Sequence, residues 1–180
     1  MPDQLEFARS IEGTFLKGLG PDLTPEVKDK LRAAGLDLDR TLLPAYPAEE
    51  FHRWVRLAAA EVFPDVPEEE ACRHIGFRTI AGLEDTVIGR ALAAGLKLMG
   101  PKRSLQRLDR IFRNNNNYQQ ATLTELGERS VRVGLSNVFE LPSFYQGVFE
   151  AAMKVTGAKQ PRVTVVDATP PGVVFQVEWD

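Results

Sequence analysis

The chain has 180 residues, 43% of them hydrophobic and 26% charged, with a net charge of −3 and one cysteine. Its length suits a single domain over residues 1–180, and its acidic balance speaks against general nucleic-acid binding, which needs a basic surface to displace counterions. A lone cysteine cannot close an internal disulfide, and the opening residues MPDQLEFARS lack a basic segment followed by an apolar run, so a cytoplasmic protein is expected.

In chain order, Leu5 to Ile11 reads as a short strand and Glu12 to Leu19 as a helical turn ending at Gly20. Thr24-Pro25-Glu26 combines an N-cap, a first-turn proline and an acid, which opens a helix that should stop at Gly35. The segment GLDLDRTLLPAYP, with two prolines around Tyr46, reads as an irregular connector. Pro47 starts the next helix, with Glu49 and Glu50 near its positive end and Phe51, Trp54, Val55, Ala58 and Val62 on one face. Pro64 ends it. Pro67 and three glutamates start another helix, to about Gly82. Leu83 to Leu98 reads as a fourth, where Gly89 and Gly95 would let a neighbour pack closely. Its weakly polar stretch is broken by Arg90 and Lys97 and is too short to span a bilayer.

Gly100-Pro101 interrupts the chain before a helix running to Arg113, with Leu105, Leu108, Ile111 and Phe112 on its apolar side. Asn114 to Asn117 mark a loop. Gln119 to Leu126 and Ser130 to Val138 read as strands joined through Gly127-Glu128-Arg129, and Pro142 begins a last helix to about Val155. Arg162 to Ala168 and Val173 to Trp179 are β-rich runs joined by Thr169-Pro170-Pro171-Gly172, the residues a tight turn requires. Helices segregated from antiparallel strands predict an α+β fold, with an N-terminal helix bundle packed on a small antiparallel sheet made of two hairpins.

Few residues offer chemistry. His52 and His74 have no partner histidine or cysteine at helical spacing, and Cys72 and His74, two apart, point to different sides of a helix. No phosphate-binding glycine loop is present, and Gly134-Leu135-Ser136-Asn137-Val138 lacks the second glycine of a nucleophile elbow. The acid pairs Glu84-Asp85 and Asp37 with Asp39 read as helix-start and turn acids. No nucleophile, base or metal set emerges, so no enzyme activity, cofactor or metal is expected.

The departure from this background is electrostatic. From Lys102 to Arg113 the chain carries five basic residues against Asp109 alone, a formal +4. On one helix, Arg103, Arg107 and Arg110 would form a stripe at i, i+4 and i+7. That stripe is either a solvated face or a site for phosphate, carboxylate or an acidic partner, which a planar guanidinium fork holds well. Phe139, Phe144, Tyr145 and Phe149 around the last helix are either core or the lining of an apolar cavity.

The motifs PAYP (Pro44 to Pro47), GLDLD (Gly35 to Asp39), LMGPKR (Leu98 to Arg103), NNY (Asn116 to Tyr118) and PSFYQG (Pro142 to Gly147), with Trp179 near the end, resemble a set of paralogous myxobacterial proteins catalogued as a domain of unknown function. The resemblance implies a bacterial cytoplasmic protein and brings no activity. The order of elements is also similar to haem–nitric oxide/oxygen binding domains and to vinyl-reductase-type and transport-particle domains. In the haem proteins, a histidine on the helix before the hairpin ligates iron. Phe112 stands at the matching position, and the tyrosine–serine–arginine motif for the propionates has no match in Val131 to Leu141. What the likeness implies is therefore the architecture without haem, with a cavity for something apolar or a flat surface for dimerisation. With the basic stripe, the expected partners are a small apolar or anionic ligand, or a protein partner or homodimer. Arg103, Arg107, Arg110, Phe112, Tyr118, Phe144 and Tyr145 are the candidate binding residues for a non-enzymatic regulatory module with no membrane span.

Overall fold

Cap and turn chemistry sets where the chain changes direction. In the computed structural model, which describes residues 3–82 and 87–180, β1 (Leu5–Phe7) passes directly into α1 (Ala8–Ile11), which widens into a π-helical run over Glu12–Gly18. α2 (Pro25–Ala33) begins where Thr24 Oγ1 accepts a hydrogen bond from the Val27 amide, satisfying an otherwise unpaired donor. It ends before Gly35, whose φ of +99° is a left-handed conformation that glycine adopts without cost. β2 (Ala45–Pro47) pairs antiparallel with β1 and leads into α3 (Ala48–Val62), which buries Phe51, Trp54, Val55, Ala58 and Ala59. α4 (Glu68–Ala81) starts with its three glutamates against the positive helix end.

α5 (Val87–Met99), α6 (Pro101–Leu105) and α7 (Leu108–Arg113) follow, then β3 (Ala121–Gly127), β4 (Ser130–Leu135), α8 (Pro142–Val155), β5 (Arg162–Asp167) and β6 (Val173–Glu178). The two predicted hairpins join in one antiparallel sheet of order β3-β4-β6-β5. Strict alternation decides its covered face: Val131, Val133 and Leu135 of β4 and Val173, Phe175 and Val177 of β6 are buried. α8 lies against that face, where Phe149 meets Phe175 edge to face and Gln146 donates to the Val163 carbonyl. On the edge strand β5, Val166 has no partner in the register, a bulge between Val165 and Asp167. Buried apolar residues from the helices and the sheet form one cluster.

The α4–α8 crossing is the tightest contact. A Cβ placed on Gly76 would lie 1.9 Å from the Phe144 carbonyl oxygen, and one on Gly147 would lie 1.9 Å from that of Arg73. The two backbones touch, and the bidentate Arg73–Glu150 pair bridges the same helices at 2.9 and 2.5 Å.

Several expectations need correcting. The first strand stops at Phe7, and the GLDLDRTLLPAYP connector is irregular only up to Pro44, because its last three residues supply the partner of that strand. The helix expected from Pro101 to Arg113 is two helices, broken at Gln106-Arg107, where the Arg107 amide bonds back to Ser104. Leu105 and Leu108, on either side of the break, are both buried. Arg103, Arg107 and Arg110 therefore do not share one continuous helix. Gly95 admits no close neighbour, since nothing lies within 4 Å of its Cβ position. The Glu84-Asp85 pair and the start of the fourth helix at Leu83 lie outside the described residues.

Candidate functional site

Two hydrogen-bonded pairs, Glu6 with Tyr118 and Tyr145 with His52, lie in the interior between the amino-terminal strand and α8. Glu6 sits in the middle of β1 and is 4% exposed. It is covered because the asparagine run returns alongside β1: the Phe7 amide donates to the Asn115 carbonyl, the Asn117 amide to that of Leu5, and the Leu5 amide to the Asn117 side chain. Tyr118 follows the run and donates its hydroxyl to Glu6 Oε2 at 2.8 Å. Burial without a cationic partner raises the Glu6 carboxyl from 4.5 to about 7, against the lowering effect of hydrogen bonds from Ser10, Tyr118 and Asn116.

Tyr145 enters from α8, and its hydroxyl lies 2.8 Å from His52 Nε2. His52 Nδ1 lies 2.7 Å from the Ala48 carbonyl, which accepts only, so Nδ1 carries the proton and Nε2 accepts from Tyr145. Burial holds His52 neutral by lowering its pKa to about 4, and both tyrosines are pushed up by burial. The His52 ring stacks on Phe139 at 4.8 Å. Phe139 and Glu140 both have positive φ, 48° and 56°, a strained turn for side-chain-bearing residues. Arg56 fastens that turn by donating to both carbonyls, and Asn137 Oδ1 receives the Phe139 amide. Beside the cluster, Asn116 donates to Gln119, which donates to the Asn137 carbonyl. Among the described residues, no buried side-chain polar atom is left without a partner.

The candidate residues divide in two. Phe112, Tyr118, Phe144 and Tyr145 converge here: Phe112 packs against Tyr145 and Phe149, and Tyr145 against Phe144. Phe144 and Tyr145 are buried, 4% and 3% exposed. Arg103, Arg107 and Arg110 lie apart, on the exposed surface of α6, the break and α7. Their neighbours are paired, Lys102 with Glu125 at 2.7 Å and Arg113 with Asp109 at 2.6 Å, whereas no salt bridge holds these three among the described residues. Two open surface grooves of about 260 and 240 Å³ are lined by none of the seven. Glu6, Arg56, Asn116 and Gln119 escaped sequence reasoning. The four-asparagine run was the available signal, since such a run in a covered position has to find partners for its amides.

A family model matches residues 4–180. The chain belongs to DUF2378, a protein family of unknown function. A search of curated proteins found no match for this DUF2378 chain. Its fold is that of H-NOX domains. An oxygen-binding H-NOX domain related to soluble guanylate cyclases superposes with a TM-score of 0.69 at 14% identity, covering 95% of this chain and 94% of that one. A structure addressing the molecular mechanism of H-NOX activation gives 0.70 at 14% identity, covering 97% and 96%. A mutant of an unliganded Fe(II) H-NOX protein from K. algicida gives 0.64 at 15% identity, covering 96% of both chains.

The residues of this DUF2378 member do not fit a haem. Of its two histidines, His52 has both ring nitrogens engaged inside the core, and His74 lies half-exposed on α4 against Phe63 and Glu70. The Phe112 ring fills its own surroundings by contact with Tyr145 and Phe149. Among the described residues, no group of three His, Cys, Asp or Glu side chains could hold a metal ion.

Proposed function

We propose that this protein is a non-enzymatic regulatory module that uses an H-NOX-type fold without haem and recognises a small anionic ligand at Arg103, Arg107 and Arg110. The observation that carries this reading is the unneutralised basic surface: three exposed guanidiniums in a chain of net charge −3, beside cations that do have acidic partners. Guanidinium forks are the protein group best matched to phosphate and carboxylate. An apolar guest finds less support, because the aromatic cluster on α8 is packed against itself.

The chemistry of the interior favours regulation over catalysis. Burial pushes the Cys72 thiol up to about 11, which leaves it unreactive near neutral pH. His52 is held neutral with both nitrogens bonded, and Glu6, whose pKa lies near 7, is sealed beneath the asparagine run. A general acid or base has to reach its substrate. Ligand occupancy read out as a change of shape or partner suits this arrangement better, in a cytoplasmic setting. No helix among the described residues is long and apolar enough to cross a membrane.

The test is titration of the purified chain with inorganic phosphate and pyrophosphate, followed by native mass spectrometry. The parent should bind, more weakly as salt rises, because exposed charges are screened over about 10 Å at 0.1 M ionic strength. Arg103→Glu, Arg107→Glu and Arg110→Glu together should abolish binding while changing stability by less than about 1 kcal/mol per site. A triple variant that stays folded and binds as the parent does would reduce the stripe to a solvated face.

A further inference from the structure

α5 is the anomaly the ligand reading does not absorb. Its sequence from Val87 to Met99 is nearly all aliphatic and small, yet Leu92 is 58% exposed and Leu98 91% exposed, and Ala91, Ala94 and Gly95 are exposed as well. At 100° per residue these five occupy one continuous arc of roughly 160° with no charged member. The helix is thus turned with its apolar side outward, against the rule that a surface helix buries that side. An exposed contiguous apolar face marks an interaction surface.

We propose that this face docks on an anionic lipid bilayer, with α5 lying in the interfacial plane and the basic segment that follows it meeting the headgroups. The inference rests on the anionic-ligand reading above and names the anion as a membrane headgroup. Three observations select this occupant. First, the apolar face is followed, after the single turn at Gly100, by Arg103, Arg107 and Arg110, all exposed, in a chain otherwise acidic. Exposed leucine joined to clustered arginine and lysine is a combination that favours anionic membrane surfaces. Second, α5 has no aromatic residue and no hydrogen-bonding amide or hydroxyl side chain. Protein interfaces concentrate aromatic anchors and hydrogen bonds, whereas acyl chains require neither. Third, Ile111, between Arg110 and Phe112 on α7, is 43% exposed, so apolar surface recurs within the basic segment itself.

The experiment is flotation of the full chain with vesicles of phosphatidylcholine alone and of phosphatidylcholine with phosphatidylglycerol, using the parent, Leu92→Asp/Leu98→Asp and the triple Arg→Glu variant, with folding of each checked by circular dichroism. The parent should bind the mixed vesicles and not the neutral ones. The triple variant should lose about a hundredfold or more in partitioning, since each basic residue near such a surface contributes on the order of tenfold or less. The leucine variant should lose at least about tenfold in vesicle binding while keeping its affinity for soluble pyrophosphate. If the parent binds pyrophosphate but no vesicle, the bilayer proposal fails and the ligand reading stands. If the leucine variant alone loses vesicle binding and the triple variant keeps it, the anionic-bilayer proposal fails, because the arginines then contribute nothing to docking. The ligand reading is decided separately, by whether the triple variant still binds pyrophosphate. Concentration-dependent dimerisation abolished by Leu98→Asp, with no vesicle binding, would assign the face to a second copy and overturn the proposal.

Discussion

Burial places Glu6 at about 7 and His52 at about 4, so the two groups respond to pH in opposite senses. The unfolded chain ionises Glu6 from 4.5 upward while the folded chain does not, so this group costs stability progressively between pH 4.5 and 7 and no more above that. His52 contributes stability above its unfolded value of 6.5, lost as pH falls through 4. Over the shared interval the two oppose each other. Glu6→Gln removes one slope and preserves an acceptor for Tyr118. Urea denaturation at pH 5 and pH 8 should therefore show the variant gaining on the order of 2–3 kcal/mol over the parent at the higher pH, relative to the lower. Parallel behaviour at both would show that Glu6 is not held protonated. Tyr118 and Tyr145 were legible as candidates, but not Glu6, because a carboxylate between Leu5 and Phe7 reads as the outward residue of an alternating strand. Only the return of residues 115–117 alongside that strand buries it, and nothing in a run of asparagines names the segment it will cover.

The elements that local chemistry specifies came through: the Thr24 cap, the Gly35 stop, the proline-led starts of α3, α4 and α8, and both hairpins. What stayed hidden was the pairing of β2 with β1, set by a partner distant in sequence, and the break between α6 and α7. The glycines show the same division. Sequence spacing pointed to Gly95 as a close-packing position, whereas Gly76 and Gly147 hold that role because α4 and α8 meet there, about seventy residues apart. Gly147→Ala forces a methyl against the Arg73 carbonyl and the Phe77 amide, which should cost about 3 kcal/mol or more in denaturant unfolding. Gly95→Ala meets nothing and should instead stabilise by up to about 1 kcal/mol, through helix propensity alone. Equal effects at the two positions would contradict the crossing described for α4 and α8.

At the scale of the molecule, the helical half and the sheet share one buried cluster, and β1 is tied to residues 115–117 across more than a hundred positions. One cooperative unit is the expectation. The two tryptophans test it, since Trp54 reports α3 and Trp179 the end of the sheet. Fluorescence of Trp54→Phe and Trp179→Phe, with unfolding midpoints corrected for each substitution, should follow the same transition as circular dichroism. Tryptophan signals that depart from it on separate denaturant scales would divide the chain into two domains. The bulge at Val166 has its own consequence at this scale. β5 is an edge strand, and Val165 and Val166 expose 39% and 46% of their surface along it. A straight β-branched edge is a template on which identical strands add one after another into fibrils. The extra residue bends this edge and throws its backbone groups out of step, so deleting Val166 would tidy the ladder while opening a route to aggregation that the native chain keeps shut.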